Sequence, residues 1–284
     1  MHNEVFETNK NINEIKIALL SDIHYYEGYN LKIFNKIIKQ ITNTKPNYVC
    51  IAGDILDSSD VIEITPLKEF LTTLSNICPI MIVLGNHDEK KGHMGEWSYE
   101  PNNTLRDFLN SSKNIYLLDD TKYIDKDNNI CFYGYNLSYH YYEVTDEEYK
   151  VFEEETNKLK ETLNNNTYNI TLIHTPINIF KYLKENNTEL SKTNLILAGH
   201  MHNGGIPFII THTINKLFKT SRSLFSPLKR FFPKYAQGRV YNEKADAYIY
   251  EGLSKLSHST RLFHYFDFIF SKNVEFITIK KSSK

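Results

Sequence analysis

Five short apolar segments of this chain are each followed within a few residues by aspartate, asparagine or histidine. These pairs are EIKIALL (14–20) with Asp22 and His24, YVCIA (48–52) with Asp54 and Asp57, PIMIVL (79–84) with Asn86, His87 and Asp88, YNITLI (168–173) with His174, and NLILA (194–198) with His200 and His202. Short apolar runs bounded by turn residues are typical of buried strands. The pattern therefore predicts that side chains able to bind a metal are held at strand ends.

Residues 1–90 alternate between strand-like and helix-like segments. Residues 30–41 carry apolar side chains with the period of a helix, and residues 65–74 form a second helical pattern with Pro66 in its first turn. Strands that alternate with helices predict βαβ units, a largely parallel sheet and an α/β fold. The carboxyl ends of parallel strands share one edge of the sheet, and ligands bind at that edge.

The rest of the chain predicts further strands at 247–251 and 274–279, and helices at 104–109, 145–163 and 176–186. The helix at 104–109 is predicted to begin with a capping box at Thr104. Because no internal repeat or low-complexity linker interrupts the sequence, we expect one domain over residues 1–284, with an insertion at about 206–240.

Composition argues against several classes of protein. The formal net charge is −1, which gives no overall attraction to nucleic acid or to an anionic membrane. No apolar stretch reaches the roughly twenty residues of a membrane-spanning helix, and the N-terminal residues lack the apolar core of a secretory signal. The cysteines lie in apolar runs and are expected to be buried and reduced. We therefore expect a cytoplasmic protein.

Each polar residue after a strand also has an ordinary structural explanation when it is considered alone. Aspartate commonly caps a turn or a helix, asparagine tolerates a left-handed turn, and a single histidine such as His174 is more often a core residue than a ligand. Chance does not readily place such residues after five strands of one chain. Mixed imidazole and carboxylate ligands suit manganese, iron or zinc, whereas an all-oxygen set would suit magnesium or calcium.

The motifs DIH, GDILD, GNHD, a single histidine and GHMH, in this order, resemble those of the calcineurin-like metallophosphoesterases, from about residue 15 to residue 280. The resemblance implies a four-layer αββα sandwich of two mixed β-sheets with a dinuclear metal site at the sheet edge. It also implies a metal-dependent phosphohydrolase with two divalent metal ions. Manganese is expected first, with iron, zinc or magnesium as alternatives.

The resemblance also implies roles for the residues of these motifs. One metal ion would be bound by Asp22, His24, Asp54 and His202, and the second by Asp54, Asn86, His174 and His200. His87 would contact the phosphate or the leaving group, Asp57 would orient His87, and Asp88 is given no direct role. Residues that bind the rest of the substrate are not identified.

The expected function is hydrolysis of a phosphomonoester, phosphodiester or pyrophosphate bond by direct attack of a metal-bound hydroxide. Two alternatives stay open: a nuclease of the same superfamily, and a scaffold that retains the fold without catalysis. A nuclease would need a more extended basic surface than this sequence offers, so nucleic acid is not the expected partner. A scaffold should have lost metal ligands or His87, and none of these is lost.

Two segments look like a bacterial branch of the superfamily whose motif is GHTHGGQ. They are LAGHMHNGGIPF (197–208) and AYIYEGLSK (247–255). That branch includes cell-wall phosphoesterases and UDP-2,3-diacylglucosamine pyrophosphatase-like enzymes, which implies a phosphorylated small-molecule or lipid-linked substrate. Asn203 departs from the branch pattern, because it stands where a glycine is usual.

Residues 206–240 contain no aspartate or glutamate, and phenylalanines alternate with basic residues. The basic residues are Lys216, Lys219, Arg222, Lys229, Arg230, Lys234 and Arg239. This segment could contact an anionic membrane peripherally at its inner face, or line the pocket of a phosphorylated substrate. Alternatively, its phenylalanines pack on the core and its cations form a solvated rim.

Overall fold

The computed structural model describes residues 3–91, 98–135, 163–176, 192–202, 213, 216–217, 237–240, 246–253 and 272–283. Within these ranges the strands are β1 (Asn3–Thr8), β2 (Ile15–Leu20), β3 (Tyr48–Ala52), β4 (Ile80–Val83), β5 (Lys90–Lys91), β6 (Ser98–Tyr99), β7 (Ile115–Leu117), β8 (Lys122–Asp125), β9 (Ile130–Tyr135), β10 (Tyr168–Ile173), β11 (Leu195–Ala198), β12 (Gly238–Val240), β13 (Asp246–Ile249) and β14 (Glu275–Lys281). The helices are α1 (Lys32–Thr44), α2 (Thr65–Ser75), α3 (Asn86–Glu89) and α4 (Asn103–Ser111).

The first sheet has the strand order β1-β14-β2-β3-β4-β7. Strands β2, β3, β4 and β7 are parallel neighbours, while β14 runs antiparallel to β2 and parallel to β1. Helix α1 connects β2 to β3 and helix α2 connects β3 to β4, as parallel strands require a crossover. The carboxyl ends of β2, β3 and β4 therefore lie together at one edge.

The second sheet has the order β12-β13-β11-β10-β9-β8, with parallel strands in the centre and the antiparallel strands β12 and β8 at its margins. The prediction of an α/β fold with two mixed sheets is confirmed. Apart from Leu163 and Pro176, the helices predicted at 145–163 and 176–186 lie outside the described residues. The single-domain organisation stays a prediction.

The two sheets pack face to face, with β3 and β4 in contact with β10 and with β4 in contact with β9. Every residue of β3 and β10 is buried, as expected for strands covered on both faces. Helices α1 and α2 join the same core, with the rings of Phe34 and Phe70 stacked at a centroid distance of 4.1 Å. In the described part of the chain, no helix combines the length and apolar character needed to cross a membrane.

The N-cap of helix α4 lies two residues earlier than the sequence predicts. Asn102, and not Thr104, is the N-cap residue: its Oδ1 accepts a hydrogen bond from the Leu105 amide at 2.8 Å. The Asn102 Nδ2 also donates to the carbonyls of Ser59 and Val61 at 2.8 and 2.9 Å. The prediction of a capping box at Thr104 is therefore wrong. Asn102 caps the helix, and its side-chain amide also holds the loop that follows β3.

Candidate metal centre

The polar residues at the five strand ends converge where the carboxyl edges of the two sheets meet. Asp54, after β3, places Oδ2 3.1 Å from Nε2 of His174, which follows β10. Asp22, after β2, places Oδ1 3.3 Å from Nε2 of His202, which follows β11. The side chains from one sheet therefore meet those from the other.

Asp54 belongs to two groups of side chains at this edge. In each group the ligand-type atoms lie within 4.8 Å of one another. The groups are Asp22, His24, Asp54 and His202, and Asp54, His174 and His200. They match the two metal-binding sets implied by the resemblance, apart from Asn86. The amide oxygen of Asn86 is buried and has no hydrogen-bond partner among the described residues. The assignment of individual ligands to metal ions stays a prediction.

Several of these residues have a left-handed backbone conformation, which is uncommon outside glycine. The φ angles are 52° at Asp22, 47° at His24, 50° at Asp54, 69° at His200 and 45° at His202. Aspartate and histidine tolerate this region better than most residues. Such conformations cost about 1–2 kcal/mol each and cluster at functional sites, where they direct side chains toward a common point.

Two glycines allow the sheets to approach each other at the centre. Gly53 has φ 81°, and a Cβ added there would lie 2.5 Å from Nδ1 of His174. A Cβ on Gly199 would collide with the Ser21 hydroxyl and would lie 2.7 Å from Oδ2 of Asp22. Any larger residue at either position would separate a ligand of one sheet from the backbone of the other.

The protein hydrogen-bonds one oxygen of each central carboxylate. Oδ2 of Asp22 accepts from the Ser21 hydroxyl at 2.6 Å and from the His200 amide at 3.0 Å. Oδ1 of Asp54 accepts from the His87 amide at 2.8 Å. The other oxygens, Asp22 Oδ1 and Asp54 Oδ2, are buried and face the imidazole nitrogens of His202 and His174 at 3.3 and 3.1 Å. Buried carboxylate oxygens of this kind, surrounded by imidazoles, fit the coordination of a divalent cation.

The electrostatics of the centre agree with this fit. Burial alone would raise the pKa of Asp54, but His174 and His87 hold it well below its usual range. Burial would lower the pKa of His174, but Asp54 raises it to about 9. Burial and the neighbouring His174 lower the pKa of His200 well below its usual value. Asp54 thus favours the protonated form of His174, and a divalent cation could take the place of that proton.

His87 and Asp57 are brought together, and ligand-type atoms of His24, Asp57 and His87 lie within 4.8 Å of one another. The Nδ1 of His87 lies 2.6 Å from the main-chain carbonyl oxygen of Asp57. The carboxylate of Asp57 also lies beside His24, with Oδ1 3.2 Å from Nδ1 of that ring. The role of Asp57 in orienting His87 stays a prediction.

Asp88 and Ser21 support the centre without having been assigned a role from the sequence. The buried Asp88 accepts hydrogen bonds from the amides of Leu56 and Gly85, both at 2.8 Å, and thereby ties the loops after β3 and β4 together. Burial, with a further contribution from Asp54, raises the pKa of Asp88 to about 7. The sequence signal for each residue is its position beside a motif residue, Asp22 for Ser21 and His87 for Asp88.

Most of the basic segment 206–240 lies outside the described residues. Two of its cations are described. Lys216 is exposed, and Arg239 lies 3.3 Å from Oδ1 of Asp246 and 4.4 Å from the centre of the Phe6 ring. Arg239 is therefore engaged within the chain. Leu217, also described, is 72% exposed.

Comparison with known proteins agrees with this geometry. Residues 15–204 match the family model described as calcineurin-like phosphoesterase. A metallophosphoesterase of Caenorhabditis elegans is 26% identical over 84% of this chain and 44% of its own length. An uncharacterised metallophosphoesterase of Campylobacter jejuni is 24% identical over 69% of this chain and 46% of its own length. The chain thus spans less than half of either relative.

Two solved structures are also similar in fold. A dimetal phosphatase from Danio rerio aligns with 84% of this chain and 87% of its own, at 13% identity and a TM-score of 0.43. The phosphopantetheinyl hydrolase of Mycobacterium tuberculosis aligns with 84% of this chain and 89% of its own, at 11% identity and a TM-score of 0.44.

Proposed function

Since the chain belongs to the calcineurin-like phosphoesterase family, we propose that it hydrolyses a phosphomonoester, phosphodiester or pyrophosphate bond with two divalent metal ions. The observation that carries this proposal is the position of Asp54 in both groups of ligand-type side chains. A carboxylate shared in this way sets the separation of two cations. Bound there, two such ions would acidify water and withdraw electron density from the phosphoryl group.

The residues of the chain would hold and orient the reacting groups. Asp22, His24 and His202 would bind the first ion together with Asp54, and Asn86, His174 and His200 would bind the second. The mixed nitrogen and oxygen donors favour manganese, with iron, zinc or magnesium as alternatives. His202, with 13% of its side chain exposed, and the half-buried His87 lie nearer to solvent than the other ligand-type residues. Substrate would therefore approach from their side.

His87 is the residue proposed to act on the substrate. Because its Nδ1 faces the carbonyl of Asp57, Nε2 is the atom that would face the phosphate or donate a proton to the leaving alkoxide. His87 also donates its main-chain amide to Asp54. A shift of the Asp54 carboxylate would therefore move His87 with it. The position of His87 relative to the metal ions would then be kept.

The proposed substrate is a phosphorylated small molecule or a nucleotide-diphospho-lipid. The similarity of residues 197–208 and 247–255 to the GHTHGGQ branch supports the lipid-linked class, and the basic segment 206–240 would contact its anionic or apolar part. We further propose a location in the cytoplasm, with a peripheral contact at the inner face of the membrane.

A turnover screen of the Mn²⁺-loaded protein tests the proposal. The substrates are mononucleotides, cyclic nucleotides, bis-nitrophenyl phosphate, nucleotide-diphospho-lipids, and single-stranded and duplex DNA. Turnover of at least one small phosphoester, absent in Asp54→Ala, is expected. Turnover of DNA alone would replace the proposal with a nuclease. A preparation that holds two metal ions and turns over no substrate would favour a scaffold.

A further inference from the structure

We propose that the side-chain amide of Asn102 is a positioning group for His87, acting through the loop that follows β3. This inference rests on the proposed function. The loop carries Asp57, whose carbonyl oxygen lies 2.6 Å from Nδ1 of His87. Asn102 is 8% exposed, and its Nδ2 donates to the carbonyls of Ser59 and Val61 at 2.8 and 2.9 Å. One amide group therefore holds the loop within a few residues of Asp57.

Asn102 also contacts the segment that carries His87. Its main-chain amide donates to the carbonyl of Asp88, the residue after His87, at 3.2 Å. One residue thus bonds to both sides of the contact between His87 and Asp57. Its side chain holds the loop after β3, and its backbone holds α3. Because the bond to Ser59 is buried, a carbonyl that lost this donor would be left unsatisfied unless the loop moved.

Helix α3 is held independently of the Asn102 side chain. The carboxylate of Asp88 accepts main-chain amides from the loops after β3 and β4. The guanidinium of Arg106 in α4 forms an ion pair with Glu89, the buried last residue of α3. A change confined to the Asn102 amide should therefore displace residues 57–61 and leave α3 in place. His87 would then lose its orientation relative to the loop.

The two functions of the Asn102 side chain can be separated. Its Oδ1 caps α4 by accepting from the Leu105 amide at 2.8 Å, while Nδ2 holds the loop. Aspartate and serine are good N-cap residues, and both keep an oxygen acceptor. Aspartate presents an oxygen in place of Nδ2, and serine lacks the second polar atom. Asn102→Asp and Asn102→Ser should therefore keep the helix cap and lose the bonds to the loop.

Hydrogen exchange measured by mass spectrometry tests the contact with the loop. In Asn102→Asp and Asn102→Ser, the amides of residues 57–61 should exchange about tenfold faster than in wild type, as for the loss of roughly one hydrogen bond. Those of α3 and α4 should keep their rates. Asn102→Ala should also speed exchange at Leu105, because the cap is lost. Asn30→Asp changes an amide to a carboxylate at an exposed position before α1 and is the matched control.

Steady-state kinetics test the effect on His87. Asn102→Asp should lower kcat by up to about 10²-fold for poor leaving groups, the cost of a misplaced catalytic group, and should change KM little. The loss should be smaller for nitrophenolate. The same substitution in a His87→Ala background should cost little further kcat, because the group that it positions is absent. A residue that only stabilised the fold would lower kcat equally in both backgrounds.

Unchanged exchange at residues 57–61 would overturn the proposal. So would a loss of kcat that is equal for all leaving groups, or equal with and without the His87 side chain. If Asn102→Asp does not fold, Asn102→Ser gives the answer. The exchange measurement does not require turnover. A wild type that hydrolyses nothing would therefore contradict the proposed function, whereas exchange at residues 57–61 would still support or overturn the role of Asn102.

Discussion

The Nε2 atoms of His24 and His202 lie 3.3 Å apart, although 178 positions separate the two residues in the chain. One histidine follows β2 and the other follows β11, so the contact joins the two sheets. Oδ1 of Asp22 lies 3.3 Å from the His202 nitrogen, and Oδ2 of Asp54 lies 3.6 Å from the His24 nitrogen. Four donor atoms thus face a common point, which is the arrangement that a divalent cation requires.

Because Asp54 is shared by both groups of ligand-type side chains, Asp54→Ala should lose both metal ions at once. Elemental analysis after reconstitution with Mn²⁺ should find two ions per chain in the wild type and none in the variant. Asp60→Ala removes an exposed carboxylate from the same loop and should keep both ions. Full metal content in Asp54→Ala would exclude the shared-ligand arrangement.

His87→Ala should keep both metal ions, because the metal sets implied for the centre do not include its side chain. We expect kcat to fall by about 10²–10⁴, the contribution of a general acid. The loss should shrink for substrates that release nitrophenolate, since that leaving group needs no proton. Steady-state kinetics on a series of leaving groups measures this dependence. Equal losses across the series would leave His87 only a charge-stabilising role.

The placement of the ligands at strand ends was predictable from the sequence, because strand polarity and the alternation of elements fix where the polar residues after β2, β3 and β4 must lie. The contact between the two sheets at this edge could not be predicted from the sequence. It depends on close approaches such as Gly53 against His174, which no local pattern reveals. That the second sheet supplies His174, His200 and His202 came only from the resemblance to a family.

Gly53→Ala tests this close approach. Gly28 provides the matched control, because its φ of 98° is also positive, like the φ of 81° at Gly53. A Cβ on Gly28 would have open space, with its nearest atom 3.9 Å away. Both substitutions should lose about 1–2 kcal/mol of unfolding free energy from backbone strain. Gly53→Ala should lose more and should also weaken Mn²⁺ binding, because it displaces His174. Urea unfolding and calorimetry measure the two effects, and equal behaviour of the variants would argue against a required contact.

The direction of individual side chains could also not be predicted from the sequence. GDILD identifies Asp57 as a residue of the centre, but its orientation depends on the pairing of residues 55–57 with Tyr25, which continues past the strand ends. The same is true of Asp88, whose carboxylate bonds to two loops. The left-handed conformation at Asp22 and His24 follows from this tertiary pairing and not from local propensity.

The thiols of the chain should react slowly in the folded protein. Cys50, Cys78 and Cys131 are buried and free, and burial raises the pKa of Cys78 to about 11 and also raises those of Cys50 and Cys131. Since only the thiolate is nucleophilic, little of it is present at pH 8, and reactivity should increase only as the pH approaches the raised values. Mass spectrometry after treatment with iodoacetamide should find the native chain unmodified and the urea-unfolded chain modified. Equal labelling of both would contradict the burial of these residues.

The basic segment 206–240 should bind anionic vesicles if it contacts a membrane. Each lysine or arginine near an anionic surface contributes about 1 kcal/mol, so three or four could hold the protein there reversibly. Arg239 is not counted, because it is engaged by Asp246 and Phe6. Co-sedimentation with anionic and neutral vesicles, at low and high salt, measures the binding. It should require anionic lipid and weaken as salt is added.

The variant Lys229→Glu, Arg230→Glu should reduce this binding. Lys36→Glu, Lys39→Glu makes the same change of charge at exposed positions of α1 and should bind like the wild type. Equal losses in the two variants would mean that net charge alone drives association, without a contribution from the segment. If the protein stays in solution with every lipid and still turns over small phosphodiesters, the phenylalanines of the segment pack on the core, the cations form a solvated rim, and the membrane contact is excluded.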